Sequence, residues 1–157
     1  MQRLARFAQE EHGSELVEFA MSSLIFFLML LGLFEFCLAL YADHFVSYAA
    51  SEGARYAVVR GSSWASSCGA SYATYSCTAA GSNVSDYVKS ITPGGITVSH
   101  LTVNTTYQAG PSGGGCTGPD LGCMVQVTVS YPFDFLLPLV SVSAFTLQSS
   151  SAMTVSQ

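Results

Sequence analysis

Two regimes of apolar spacing follow one another along the first sixty residues. From Met21 to Tyr41 the chain reads MSSLIFFLMLLGLFEFCLALY, with Glu35 its only charge. About 20 helical residues rising ~1.5 Å each cover the ~30 Å hydrocarbon core of a bilayer. A helix in a soluble core keeps a polar face, and between Leu24 and Phe34 apolar side chains occupy all sides. The run therefore predicts a transmembrane helix over about residues 21–41. Beyond Tyr41 the pattern turns amphipathic. Phe45, Tyr48, Ala49, Glu52, Tyr56 and Val59 recur at three- and four-residue steps. Ala42, Ala50, Gly53, Ala54 and Ala57 line much of the rest. A single long helix is expected over residues 14–60, ending at Gly61-Ser62-Ser63. Its outer Phe/Tyr stripe is expected to seat a C-terminal domain.

The remaining residues, 61–157, change period again. Gly61 to Gly81 is rich in Ser, Ala and Tyr and reads as a loop. Ser82 or Asn83 is placed to cap a short helix running through Ser90, with Val84, Tyr87 and Val88 on one face. Pro93-Gly94-Gly95 ends it. Alternation of apolar and polar residues then predicts strands over Ile96–Val103 and Met124–Tyr131, with a third from Ala144 to Val155. Ala109 to Cys123 is a glycine-dense tip between the first two. The apolar, proline-broken run from Phe133 to Val140 has three open readings: contact with the membrane surface, contact with another subunit, or packing under the sheet. The fold class expected is α+β: a long N-terminal transmembrane helix extended outside the membrane, packed by a small antiparallel sheet and one short helix.

Composition sharpens this division. The chain has 157 residues, 50% hydrophobic and 10% charged, with a formal net charge of −5. An ordinary soluble domain carries ~25% charged residues. The fixed cations are Arg3, Arg6, Arg55, Arg60 and Lys89, which form no basic patch, so nucleic acid is not an expected partner. Of the 5 cysteines, Cys37 lies in the apolar run, while Cys68, Cys77, Cys116 and Cys123 follow it. Four thiols in a small, charge-poor domain point to two disulfides in an oxidising compartment. Three pairings are open, and the local ones, Cys68–Cys77 and Cys116–Cys123, are preferred because each closes a short loop between turn formers. With no C-x-x-C and no ligand spacing to His44 or His100, no metal or other cofactor is expected. No nucleophile elbow, P-loop, HExxH or paired-carboxylate pattern occurs, so no enzymatic activity is expected.

A secretory signal is the rival to the anchor, with Cys37-Leu38-Ala39 as a small-x-small cleavage site. Against it, signal h-regions span only ~7–15 residues after a positive segment. Here Glu10, Glu11, Glu15 and Glu18 stand beside the two arginines that precede the run. Those arginines give a slight positive-inside preference. The cysteines decide the orientation: the N-terminus is cytoplasmic and residues 61–157 are extracytoplasmic.

Just before the span the chain reads Gly13-Ser14-Glu15-Leu16-Val17-Glu18-Phe19-Ala20. A glycine, four residues, a glutamate, an aromatic and a long apolar helix resemble the processing signature of type IV prepilins. The block EFCLALYADHFVSYAASEGARYAVVRG, Glu35 to Gly61, resembles the TadE-like family, pseudopilins of the tight-adherence (Flp) pilus system. The later stretch MVQVTVSYPFDFLLPLV is similar to that family's late strand and proline turn. The chain departs from the family in carrying Glu10, Glu11 and His12 where leaders are usually basic. The resemblance implies a bacterial inner-membrane protein whose leader, residues 1–13, is removed by a prepilin peptidase between Gly13 and Ser14. It also implies pilin-like subunits and a pilus assembly platform as partners, and helix–helix packing as the working interaction.

Glu18 then lies about one helical turn from the new α-amine of Ser14 and is placed to pair with it, its own or a neighbour's. The simpler reading makes Glu18 an interfacial glutamate favoured by the helix dipole. Glu35 sits about 9 Å inside the far end of the span. Three readings are open for it: protonated, bonded to a partner helix, or reaching to the headgroups. At ~100° per residue, Glu18 and Glu35 fall on different faces. The alternative to a pseudopilin is a stand-alone membrane-tethered binding module, for which the helix is only a tether.

Overall fold

The structure is a computed structural model that describes residues 2–62, 64, 78–110, 115–135 and 145–156; for residues 2–12 it gives the course of the backbone alone. Among the described residues the longer elements are two α-helices and three strands: α1 (Gln2–Val58), α2 (Gly81–Ser90), β1 (Thr102–Gln108), β2 (Met124–Phe133) and β3 (Phe145–Thr154). The fold is α+β, as the alternating periods imply. It divides into two compact units, Met1–Leu38 and Ala39–Gln157, with α1 contributing to both.

The first unit is helical, and from Leu24 to Phe34 its large apolar side chains are all exposed. Helix α1 starts well before Ser14 and passes through Gly13 without a break. This follows from residue type, since Gln2 to His12 contains no proline or glycine to interrupt it.

The second unit is built on the remainder of α1. Buried positions along the helix are Ala42, Phe45, Val46, Ala49, Ala50, Gly53, Ala54, Tyr56 and Ala57, alternating steps of three and one over most of their length. The seat of the domain is therefore mainly the small-residue face. The expected Phe/Tyr stripe is corrected in part: Tyr48 and Val59 point to solvent, while Phe45 and Tyr56 are buried. Small side chains win because they let the sheet come close to the helix backbone, where β-branched residues fill the gap. At Gly53 an added Cβ would lie 3.0 Å from both Val127 Cγ1 and Val88 Cγ2.

The sheet is antiparallel, in the order β1-β2-β3. Its central strand turns Val125, Val127 and Val129 fully inward, each burial contributing on the order of 1.5–3 kcal/mol. Across from them stand Tyr107, Thr105 and Val103 on β1, and Met153, Ser151 and Ser149 on β3. Pro132 is tolerated in β2 because β1 pairs only as far as Ser130, so beyond it one side of the strand needs no donor.

Two local expectations are corrected. The first strand begins at Thr102 and runs to Gln108, where the sequence pattern places it over Ile96–Val103. Ile96 and Leu101 are both buried, yet an odd spacing of five puts two strand residues on opposite faces. A 3-10 turn, Val98–His100, reconciles them. Helix α2 begins at Gly81 with Ala80 as its N-cap and no side-chain cap. Asn83 does not cap it, because its amide instead donates to the Thr78 carbonyl oxygen at 2.8 Å. The remaining expectations for Cys68, Cys77 and residues 136–140 lie outside the described residues.

Candidate functional site

The residues singled out before the membrane segment are all on α1, and their surroundings differ. Gly13, Ser14, Glu18 and Phe19 are exposed on the helix surface. An added Cβ at Gly13 would meet nothing within 4 Å, and the same holds at Gly32. These two glycines differ in kind from Gly53, whose small size the chain's own packing requires. No contact among the described residues explains glycine at 13 or 32.

Glu18 and Glu35 are separated by environment as well as by helical face. Glu18 is exposed, whereas Glu35 is only 9% exposed and is the one buried charged residue among those described. Around it Phe34, Phe36, Cys37 and Leu38 all remain exposed. Cys37 is a free thiol on this outward surface. No group of three or more His, Cys, Asp and Glu residues that could hold a metal is found among the described residues.

In the second unit a disulfide joins Cys116 and Cys123, closing the glycine-rich tip before β2. The tip is tied down further by Ser62 N donating to Pro119 O at 2.8 Å and Gly122 N to Val155 O at 3.0 Å. Leu121, two residues before Cys123, is 71% exposed.

An aromatic cluster that periodicity does not reveal joins α1, α2 and β1. The Tyr56 and Tyr87 rings stack with centroids 4.5 Å apart, and the Arg60 guanidinium lies 4.1 Å from the Tyr56 centroid and 5.5 Å from that of Trp64. The Tyr107 hydroxyl donates to the Ala79 carbonyl oxygen. Burial pushes the Tyr107 phenol up to about 12, with the nearby Tyr56 phenol adding to the rise. The sequence signal was present in part, since Tyr56 and Tyr87 each lie on the inward side of a recognisable helix. Their meeting depends on how the two helices pack.

One helix among the described residues is long and apolar enough to cross a membrane, it lies near the N-terminus, and a folded β-containing unit follows it. That is the architecture of a single-pass membrane protein. Residues 13–55 match the family model described as TadE-like protein, the family that Glu35 to Gly61 resembles. The matched segment begins at Gly13 and takes in the apolar span and most of the face on which the sheet and α2 rest. No curated protein and no solved structure matches this chain.

Proposed function

We propose that the chain is a TadE-like pseudopilin, anchored in the bacterial inner membrane, that takes part in assembly of a tight-adherence (Flp-type) pilus through helix–helix packing. The observation that carries this reading is the coincidence of the family match, residues 13–55, with a helix whose apolar side chains find no partners within the first unit. In lipid, helices associate through close van der Waals packing, and small residues allow the backbones to approach. Gly32, with open space around it, is suited to that contact. Glu18, exposed on the same helix, and Glu35, covered within its own chain, are the charges assigned to fixing its register.

Processing belongs to the same reading. Prepilin peptidase acts at Gly13–Ser14, where the absence of a side chain at Gly13 lets a protease approach the backbone. Because α1 is unbroken there, the peptidase has to unwind about a turn of helix to reach an extended backbone. After cleavage, exposed Glu18 is free to meet the new α-amine of Ser14 in its own chain or a neighbour's. The N-terminus then faces the cytoplasm and the β-containing unit lies outside, where Cys116–Cys123 is stable. The partners are other pilin-like subunits and the assembly platform. Co-expressing the full chain with a prepilin peptidase tests the processing step, with mass spectrometry expected to find a product beginning at Ser14. A product that keeps the Gly13–Ser14 bond intact overturns it.

A further inference from the structure

The rings of Phe133, Phe135 and Phe145 form a closed triangle, with centroid separations of 5.5, 5.6 and 5.7 Å. Phe133 is largely buried, but Phe135 is 36% and Phe145 37% exposed. Large aromatic rings left open to water are costly, and three together form a patch rather than a scattered residue. The register puts Phe133 opposite Phe145 at one extreme of the sheet.

Three contacts fix which extreme this is. At the other end, Ser156 N donates to Val58 O at 3.1 Å, so the last turn of α1 meets the chain just past β3. From there β3 recedes over its 10 residues, ~30 Å at strand rise. Near the other side of the unit, the Tyr41 hydroxyl donates to Gly94 O at 3.2 Å. The turn containing Gly94 leads through Ile96 and Leu101 to Thr102, which pairs with Ser130, three residues before Phe133. The aromatic triangle and the point where α1 enters the unit at Ala39 are thus at the same end. In the reading above, that is where the chain emerges from the bilayer.

We propose that Phe133, Phe135 and Phe145 form an interfacial lipid anchor, seated at the boundary of headgroups and acyl chains. Tyr and Trp concentrate at that depth, and Phe is among the side chains that interfacial segments bury ~5–10 Å into the headgroup–acyl boundary. Tyr41, half-exposed at the end of the span, belongs to the same belt. Asp134, the one carboxylate between the rings in sequence, is exposed and faces headgroups rather than the acyl interior. With α1 as the first attachment, this patch supplies a second.

The proposal rests on α1 spanning a bilayer, and the test separates the two. Full-length chain carrying W64F, which removes the single tryptophan, is prepared with F135W, F145W or L121W and reconstituted in phosphatidylcholine vesicles. Some vesicles carry a nitroxide near the top of the acyl chain. Each variant's thermal unfolding is compared with that of its W64F parent; positions 135 and 145 are exposed enough to accept an indole, and each reports independently. Tryptophan at 135 and 145 is expected to show blue-shifted emission, quenching by the lipid nitroxide and protection from iodide. At 121, beside the opposite end of the sheet, emission is expected to be red-shifted and quenched by iodide alone. Iodide quenching at 135 and 145 equal to that at 121 overturns the proposal. Protection from both quenchers also overturns it, assigning the patch to a protein contact. A chain that fails to float with the vesicles overturns the anchor and this inference together, whereas a floating chain with water-exposed indoles leaves the anchor standing.

Discussion

Gly53 is closely packed on the part of α1 that carries the sheet. With a Cβ placed 3.0 Å from methyl groups of both Val127 and Val88, those side chains have to give way before a larger residue fits at this position. Overpacking of this kind costs about 1–3 kcal/mol. Gly53→Leu is expected to lower the denaturant midpoint of the detergent-solubilised chain, and V127A in the same chain to recover part of the loss. Tyr107 offers a second residue-level test. Its phenol titrates at about 12 in the fold against the ordinary tyrosine value of 10.0, so the folded state holds the proton more tightly. The stability it contributes is complete below about pH 10 and is lost as pH rises through about 12. Tyr107→Phe is expected to cost about 1 kcal/mol at neutral pH through the lost hydrogen bond to Ala79, and to flatten the alkaline dependence. Thermal unfolding followed across pH 9 to 12, a window of roughly a unit or two around those two values, distinguishes the variants.

At the scale of elements, the tip between β1 and β2 shows how a covalent bond stands in for missing packing. Gly115, Gly118 and Gly122 have no side chains to pack, and the Cys116–Cys123 bond closes a loop of sequence separation 7. Chain-entropy arguments assign such a loop about 2.5 kcal/mol. Cys116→Ser with Cys123→Ser is expected to lower unfolding stability by about that amount and to raise proteolysis around Leu121. The first strand carries the complementary lesson. Its inward residues Val103, Thr105 and Tyr107 alternate correctly, but the polar run Asn104-Thr105-Thr106 hides the strand's second half from a reading based on hydrophobicity. The Ile96–Leu101 spacing fails as a strand for the opposite reason. Both side chains need the core, and only the 3-10 turn lets them reach it.

For the whole molecule, the two units divide the work. The second unit holds its own core, from Phe45 and Val46 through Val84 and Val88 to Val125, Val127 and Val129. The first exposes nearly all of the apolar surface of its described side chains. Replacing residues 21–38 by an unrelated apolar span of equal length is expected to preserve membrane insertion and leave the unfolding midpoint of the second unit unchanged. In the pseudopilin reading the same exchange abolishes pilus assembly, because packing between helices depends on the shape of this surface rather than on its hydrophobicity. Pili counted by electron microscopy after complementation provide the measurement, and undiminished piliation makes the helix a mere tether.

What the sequence determined by itself is what depends on period and composition. An apolar run long enough to span lipid, an amphipathic continuation, one short helix and alternating strands are each encoded locally, since every residue's neighbours along the chain set its pattern. The likeness to TadE-like proteins was legible for a related reason: it resides in one continuous segment, Gly13 to Gly61. Tertiary structure decided which face of α1 receives the sheet, because that depends on how closely two surfaces approach and not on which face is more apolar. Small residues at 49, 50, 53, 54 and 57 form that face together with Phe45 and Tyr56, while Tyr48 is left outside it. It also decided that Glu35 is covered while Glu18 is open, and that Phe133, Phe135 and Phe145 meet across a strand pair whose partners lie far apart in sequence.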